Sequence, residues 1–410
     1  MDNSISRVLT ILIALLITTF FIPLFNTREI CILLAILIFA GCAFNASILR
    51  DKTFIFLIAF VIVQFIWAIL GYGITSYNSI LLTSLYFGAS VTICGFLGKL
   101  SRNQIKFLSS FILIIFFISI VSTFFVLLTN PTILREYGYN TSELADFVSS
   151  SSSGFMLVFS YGVGESLAIM LPAVFCFGLY SKKLFWVVIS IITVLLGIFC
   201  QFMGTLATSA ILSLVFCVAV GISYLYYSNK SRLASTILAV IVAGVVASFV
   251  LPQVSLSDNL QFMAKFEDMQ ASVSGNSAVG QVDSRKQLYL QSLKVCMHNP
   301  ILGLGQVPIN FGYYTDNMIS MHTAFFDFWG MYGLFVLLLI ASWKGSIKSS
   351  YNLLPDFRQK QYRYYLFSLF LLLLLKGPVT ISTNFFFSTV LVGIIIRREI
   401  LMDNVNLQEQ

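Results

Sequence analysis

The chain has 410 residues, of which 58% are hydrophobic and only 10% charged, and its mean hydropathy is +0.91. Soluble domains carry about 25% charged residues, so a water-soluble fold could not bury this much apolar surface. The apolar runs extend over about 17 to 25 residues without alternating apolar and polar positions, which favours membrane-spanning helices over spanning strands. The composition therefore predicts an all-α polytopic membrane protein.

Twelve apolar segments follow one another along the chain and are predicted as transmembrane helices. No small-residue cleavage site follows the first, so we interpret it as a helix rather than a removed signal peptide. The last two are separated at Lys376-Gly377-Pro378, because glycine and proline break helices. The predicted spans are 8–25, 30–48, 53–71, 79–98, 105–128, 164–181, 184–203, 209–227, 232–251, 323–343, 362–378 and 380–396.

Lysine and arginine fall mainly in segments that face the cytoplasm if the N-terminus lies inside. Of the 24 basic residues, those on the predicted outer side are Arg28, Arg135, Lys265, Arg285, Lys286, Lys294 and Lys376. This asymmetry is the positive-inside pattern, and it predicts cytoplasmic N- and C-termini. It also explains the net charge of +7 without nucleic-acid binding.

Two predicted outer segments are long, residues 129–163 and residues 252–322. We interpret the serine run of the first, Ser149 to Ser153, as a flexible connector. The second is predicted as a large, partly helical loop between the ninth and tenth spans. The chain as a whole, 1–410, is predicted to be a single integral membrane domain in which this second loop carries the candidate site.

A helix is predicted inside the large loop. Ser284 and Gln287 have the spacing of a capping box, and Asn299-Pro300 ends the segment, so the helix would run from about 285 to 298. We expect it to lie at the membrane surface. Its irregular apolar face would consist of Leu288, Leu293 and Met297.

Arg285 and Lys286 would fall in the first turn of this helix. The N-terminus of a helix carries partial positive charge and disfavours cations there. Either an anion such as a phosphate or diphosphate binds at these side chains, or both are solvated surface charges.

The chain has two histidines, His298 and His322. His298 would end the loop helix, where the partial negative charge favours a structural role. His322 precedes the tenth span and is either structural or a general base. At about 100° per residue, Asp327 lies away from His322, so a His–Asp pair within this helix is not expected. The two faces would hold His322, Phe326, Trp329 and Gly333, and Thr323, Asp327 and Gly330.

Glu165, Asp327 and Lys376 are ionisable residues at the ends of predicted spans. Such residues are costly in a membrane and usually face a cavity or a partner. All three lie nearer the outer face, which favours chemistry or binding at that interface over a transport site at the midplane. No cluster of histidine, cysteine and acidic residues has metal-ligand spacing, so neither a metal nor a cofactor is expected, and the seven cysteines form no disulfide framework.

A polytopic chain with a large late outer loop, a loop helix led by Arg285, the motif "NPILGLG" and a histidine eleven residues before Gly333 resembles the bacterial O-antigen polymerase and O-antigen ligase superfamily (Wzy and WaaL proteins, membrane glycosyltransferases of the GT-C type). The segment "SYGVGESLAIMLP", 160–172, also looks like the start of the family's sixth span. The resemblance in topology covers nearly the whole chain, and the motifs cover about residues 283–335.

The resemblance implies a metal-independent glycosyltransferase of the bacterial inner membrane with its active site on the periplasmic side. Its substrate would be an undecaprenyl-diphosphate-linked oligosaccharide, and its partners membrane lipids and a chain-length regulator protein. Arg285 matches the loop arginine that binds the lipid diphosphate. His322 matches the histidine that positions or activates the acceptor hydroxyl.

Two departures from the family pattern bear on the reaction. Members often carry an arginine where "GTLATSA", 204–210, has Leu206, and ligases usually have asparagine where this chain has Thr323. The differences favour a polymerase of O-antigen or capsular repeat units over a ligase that transfers lipid-linked glycan to lipid A core. A lipid-linked saccharide flippase is the alternative without chemistry. Candidate substitutes for the missing arginine are Arg135, Lys286 and Lys376, and the other candidate substrate-binding residues are Glu165, Asp327, Tyr313 and Tyr314.

Overall fold

A computed structural model describes residues 3–22, 25, 28–43, 50–70, 77–130, 133–136, 158–181, 183–204, 206–228, 281–304, 323–376 and 381–406. Within these ranges every regular element is helical. The helices are α1 (Asn3–Phe21), α2 (Arg28–Ala43), α3 (Lys52–Ile69), α4 (Tyr77–Leu97), α5 (Arg102–Thr129), α6 (Ile133–Glu136), α7 (Tyr161–Tyr180), α8 (Leu184–Met203), α9 (Ala207–Ser228), α10 (Gln281–His298), α11 (Ala324–Tyr332), α12 (Val336–Tyr351), α13 (Asp356–Leu375), α14 (Ile381–Phe386) and α15 (Val392–Asn406). A 3₁₀ turn, Gly333–Phe335, joins α11 to α12, and a π-helical turn, Phe387–Leu391, joins α14 to α15.

Each predicted span except the ninth coincides with one of these helices, with the α11–α12 pair or, for 380–396, with α14, the π-helical turn and the start of α15, which confirms the all-α prediction for the described part of the chain. The ninth, 232–251, lies outside the described residues. Among those residues, α3, α5, α7, α8, α9 and the α11–α12 segment are long and apolar enough to cross a membrane, and α1, α2 and α4 contain shorter apolar stretches. The protein is thus a polytopic helical bundle, while twelve spans and their orientation stay predictions.

Polar side chains at the predicted boundaries start several helices. The Ser101 hydroxyl accepts a hydrogen bond from the backbone N–H of Gln104, and the side-chain oxygen of Gln104 accepts one from the backbone N–H of Ser101. Together these two bonds form a complete capping box. Asp51 accepts from the backbone N–H of Thr53 at 2.7 Å. These bonds satisfy N–H groups that the first turn of a helix leaves without intrahelical partners.

Helix α7 lies at the centre of the bundle, with nearly every residue from Val163 to Gly178 buried against α8, α9, α13 and α15. It contains Pro172, which cannot donate a hydrogen bond to the carbonyl of Ala168 one turn earlier. The hydroxyl of Ser368 on α13 donates to that carbonyl instead. A neighbouring serine therefore compensates for the proline, as polar side chains do in membrane helices.

The helices of the C-terminal part of the bundle are interrupted at two places, Lys376 and Gly333. The predicted break at Lys376 is confirmed, because α13 ends at Leu375 and Lys376 is extended. The predicted continuous span 323–343 is wrong in one respect, since the helix breaks at Gly333, whose φ is 56°. Gly333 therefore does not continue the helical face predicted for His322, Phe326 and Trp329.

A buried ion pair lies at the opposite end of α13 from Lys376, about 30 Å away along the helix. Arg358 contacts Glu399 of α15 at 2.8 Å, with side chains 10% and 1% exposed. Tyr362 donates to the same carboxylate, and Arg358 stacks over the ring of Tyr180 at 4.4 Å. Buried charges therefore occur at both ends of the bundle, and their position alone does not single out the outer end.

We expect Glu399→Leu and Arg358→Met each to lower the free energy of unfolding by about 3–5 kcal/mol, because each leaves a buried charge without its counter-charge. The double variant Arg358→Met/Glu399→Leu should recover most of that loss, since apolar groups can replace a buried ion pair. Denaturant unfolding in detergent measures both effects. Single variants as stable as the wild type would contradict the assignment.

Candidate active site

Helix α10 begins at Gln281, earlier than the capping pattern at Ser284 predicts. Asp283 therefore lies in the first turn, where an acidic side chain stabilises a helix N-terminus. The prediction that Arg285 and Lys286 occupy the first turn is wrong, because they lie in the second. The helix ends at His298, as predicted.

The buried face of α10 differs from the predicted apolar face. Leu293 and Met297 are 38% and 74% exposed and, with Leu290 and Ile301, form an exposed apolar stripe along the helix and the turn that follows it. The buried positions, which face α11, are Leu288, Ser292, Val295 and Cys296. The capping pattern and Asn299-Pro300 predicted the helix, but this helix has apolar residues on both a buried side and an exposed side, and the sequence does not show which side packs on the protein.

Asp327, completely buried, connects α10 to the start of α11. Its Oδ2 accepts a hydrogen bond from the backbone N–H of Thr323 at 3.0 Å, and its Oδ1 accepts from the Ser292 hydroxyl at 2.5 Å. Thr323 caps α11 by accepting from the N–H of Phe326 at 3.1 Å. Asp327 thus lies on the face of Thr323, as periodicity predicts, and holds the backbone directly after position 322.

Cys296 makes a second polar contact between the two helices, donating to the carbonyl of Phe326 at 2.9 Å. Burial, and to a smaller extent the nearby Asp327 carboxylate, raise the pKa of the Cys296 thiol, and a hydrogen bond with the backbone of Gly330 opposes this, so that the pKa is about 11. The thiol is therefore protonated at neutral pH and serves as a donor rather than as a nucleophile.

The described part of the motif "NPILGLG", residues 299–304, packs directly on the helix break at Gly333. Leu304 donates its N–H to the carbonyl of Gly330 at 2.8 Å, and Leu334 donates to the carbonyl of Ile301 at 3.0 Å. Gly303 and Gly333 both have positive φ, 73° and 56°. We call this reciprocal contact between residues 301–304 and 330–334 the glycine clasp.

Side chains at both glycines of the clasp are excluded by backbone atoms. A Cβ at Gly333 would lie 2.1 Å from the carbonyl oxygen of Ile301, and one at Gly303 would lie 2.3 Å from that of Met331. Trp329 also donates to the carbonyl of Pro300 at 3.1 Å. The glycine at position 333 therefore has a structural cause, since it lets the turn after α10 pack against the end of α11.

Glu165 and Lys376, two predicted substrate-binding residues, form an ion pair of 2.7 Å between α7 and the end of α13. Lys376 Nζ also lies 5.9 Å from the centre of the Tyr161 ring. The Lys376 carbonyl accepts from the N–H of Ala324 at 2.6 Å, so this pair lies beside the start of α11. The structure thus brings together Glu165, Lys376 and Asp327 at the ends of four helices, α7, α10, α11 and α13.

Position 206, where family members often carry an arginine, faces the start of α7. Leu206 is fully buried against Gly164, so closely that a Cβ on Gly164 would lie 2.5 Å from Leu206 Cδ1. The Gly164 carbonyl accepts from the Gln201 side chain at 3.0 Å, and Ser213 donates to Gln201 at 2.7 Å. Apolar packing and neutral hydrogen bonds occupy this position instead of a cation.

The remaining predicted site residues are described only in part. Arg285 and Lys286 belong to α10 and Arg135 belongs to α6, each by its backbone. His322, Tyr313 and Tyr314 lie outside the described residues. Their roles stay predictions.

Sequence reasoning missed Ser292 and Tyr289, which link α10 to its neighbours. Tyr289 donates to the carbonyl of Leu375 at 3.1 Å, next to Lys376. One available signal was the position of Ser292 on the same helical stripe as Leu288 and Val295, because a serine among apolar neighbours needs a hydrogen-bonding partner. No signal in the sequence identified that partner as Asp327.

Residues 193–341 match the model of a family described as O-Antigen ligase (Wzy_C). The match begins within α8, ends within α12 and includes α9, α10, α11 and the glycine clasp. A comparison with curated proteins finds no match.

We expect Gly333→Ala to destabilise the protein by at least about 1–3 kcal/mol, because alanine disfavours this backbone conformation and its Cβ would strike the Ile301 carbonyl. Gly221→Ala is the matched control, since its new Cβ would make an ordinary 3.5 Å contact with Phe175. The apparent melting temperature in detergent measures both. A Gly333→Ala protein with the same apparent melting temperature as the wild type would contradict the structural role assigned to the glycine clasp.

Proposed function

We propose that this protein belongs to the O-antigen ligase and polymerase superfamily, which the match over residues 193–341 supports, and that it polymerises undecaprenyl-diphosphate-linked oligosaccharide repeat units. The reaction would take place on the periplasmic side of the bacterial inner membrane. The product would be O-antigen or capsular polysaccharide.

The coarser assignment follows from the family. The match and the apolar helices indicate a bacterial membrane protein of the ligase and polymerase type, with lipid-linked glycans as its substrate class. A flippase receives no support from the match. The polymerase, its donor and its site residues are our proposal.

The packing of α10 on the start of α11 is the observation that supports a glycosyl transfer at Arg285 and His322. Arg285 belongs to α10, and His322 immediately precedes Thr323, which Asp327 joins to Ser292 of α10. Arg285 and Ser292 are separated by about 10 Å along the helix. That length is comparable to a diphosphate that carries one sugar, so a donor held at Arg285 can present its sugar near position 322.

The exposed apolar stripe of α10 supports a location at the membrane surface. Leu290, Leu293 and Met297 lie on one side of the helix, opposite the face that packs on α11. A helix of this kind buries its apolar side at the boundary between lipid headgroups and acyl chains. The diphosphate of a lipid-linked sugar lies at the same depth, because its polyprenyl tail stays in the membrane.

The chemistry assigned to the two catalytic candidates is a glycosyl transfer without a metal. His322 takes the proton of the acceptor hydroxyl, whose oxygen forms a bond to the anomeric carbon of the donor sugar. The bond from that carbon to the diphosphate breaks, and undecaprenyl diphosphate leaves with the electron pair. Arg285 stabilises the negative charge that develops on it.

The additional cations near the diphosphate are Lys286, the neighbour of Arg285 on α10, and Arg135. Lys376 serves less well, since Glu165 neutralises its charge. Tyr313 and Tyr314 supply rings on which sugars could stack.

An O-antigen ligase is the second candidate, and the description of the matching family favours it. Thr323 does not separate the two reactions. It acts as the N-cap of α11, and asparagine, the residue usual in ligases, caps helices equally well. The choice of a polymerase over a ligase therefore depends on Leu206. This residue stands where family members often carry an arginine, and its side chain is buried.

Purified protein in liposomes with lipid-linked repeat units should produce a ladder of longer lipid-linked glycans, resolved on gels. His322→Ala should lower the rate roughly 100- to 10,000-fold, because a general base is lost. Arg285→Ala should lower it roughly 100- to 1,000-fold, because a charge-stabilising donor is lost. Activity should persist in excess chelator.

The matched controls are His298→Ala and Lys294→Ala, which remove an exposed histidine and an exposed cation from the same helix. Both should keep near wild-type rates. A single transfer onto lipid A core would identify a ligase and refute the polymerase. Equal losses in His298→Ala and His322→Ala would refute the choice of histidine.

A further inference from the structure

We propose that Asp327 is a positioning residue that fixes the backbone beside His322 relative to the helix that carries Arg285. This inference rests on the proposed function and assigns Asp327 a role other than substrate binding. The argument depends on its two hydrogen bonds, its burial and the other bonds at the start of α11.

The hydrogen bond from Thr323 constrains position 322 directly. The N–H that Asp327 accepts belongs to the peptide bond joining residues 322 and 323. Because a peptide bond is planar, holding its N–H also fixes the plane that contains the carbonyl group of residue 322. The Asp327 carboxylate therefore restrains the peptide through which residue 322 is joined to α11.

The second carboxylate oxygen extends this constraint to α10. Ser292 donates to Asp327 Oδ1, and Ser292 is buried on the face of α10 that packs against α11. One side chain thus links the helix of Arg285 to the peptide after His322. A donor-binding residue and an acceptor-activating residue on separate segments need such a link, since an error of about 1 Å in placement can cost about 100-fold in rate.

The start of α11 is held more firmly than the start of an ordinary helix. The first N–H groups of a helix lack intrahelical partners. Here the N–H of Thr323 donates to Asp327, that of Ala324 donates to the Lys376 carbonyl at 2.6 Å, and that of Phe326 donates to the Thr323 hydroxyl. Two side chains of α11 and its cap, together with the carbonyl at the end of α13, therefore restrain the segment that starts at Thr323.

A direct chemical role fits Asp327 poorly. The side chain is fully buried, and both oxygens accept hydrogen bonds from protein groups. The N-terminus of α11 stabilises its negative charge. Its geometry serves to hold the backbone.

Asp327→Asn separates positioning from chemistry. The asparagine oxygen can accept from Thr323, and its amide can donate to the Ser292 hydroxyl, which also accepts hydrogen bonds. Both links survive without the carboxylate, so this variant should keep turnover within about threefold of the wild type. Asp327→Ala removes both links and should lower kcat about 10- to 100-fold while the KM for the lipid-linked donor stays within about threefold.

Ser292→Ala and Cys296→Ala complete the series. Ser292→Ala removes only the link to α10 and should lower kcat less than Asp327→Ala, which keeps the inference testable if Asp327→Ala does not fold. Cys296→Ala is the matched control, because its thiol also crosses from α10 to α11 but donates to the Phe326 carbonyl rather than to Asp327. It should leave kcat unchanged.

Amide hydrogen exchange of the peptide covering residues 323–327 gives a readout that does not require activity. Asp327→Ala should speed exchange there by tenfold or more, while Asp327→Asn and Cys296→Ala should exchange like the wild type. An inactive Asp327→Asn protein with wild-type exchange would overturn the inference in favour of a chemical role. Unchanged exchange in Asp327→Ala would also overturn it.

Failure of the proposed function looks different from failure of this inference. A wild-type protein that forms no glycosidic product with lipid-linked donors would refute the proposed function. The exchange comparison would still decide whether Asp327 holds the backbone at Thr323.

Discussion

The glycine clasp is the contact on which the candidate site depends. Two reciprocal backbone hydrogen bonds join the turn after α10 to the break between α11 and α12, and they form only because Gly303 and Gly333 let the two backbones approach. With the ends of the two segments joined, the rest of α10 lies along α11. Ser292 and Cys296 then reach Asp327 and the Phe326 carbonyl.

Compensation of buried polar groups explains how the surrounding bundle accommodates such interruptions. Ser368 bonds the carbonyl that Pro172 frees in α7, and Lys376 receives the first N–H of α11 while its ammonium pairs with Glu165. In a membrane each unsatisfied group costs several kcal/mol, because water is not there to replace the partner. Irregular backbone in this chain therefore occurs where another helix supplies a donor or an acceptor.

The helices, including α10, to which the candidate residue Arg285 belongs, were largely predictable, because hydropathy, caps and helix breakers act locally. The predicted break at Lys376 and the end of α10 at His298 are examples. The break at Gly333 was not predictable, since an isolated glycine in an apolar run does not by itself end a helix. The hydrogen bond from Ser292 to Asp327 was also not predictable, because it joins residues of different helices and produces no periodic pattern in the sequence.

The ion pair of Lys376 with Glu165 also reduces the number of cations that are available to bind the proposed lipid diphosphate. Of the cations considered as substitutes for the missing arginine, Lys376 is already 2.7 Å from Glu165 and its side chain is only 16% exposed. Position 206 itself holds a buried leucine against the start of α7. Of the other candidate cations, Arg285 and Lys286 belong to α10, the helix that the clasp and Asp327 join to α11, and Arg135 belongs to α6. If Arg285 binds the diphosphate as proposed, a change in the packing of α10 on α11 would therefore also change the chemistry.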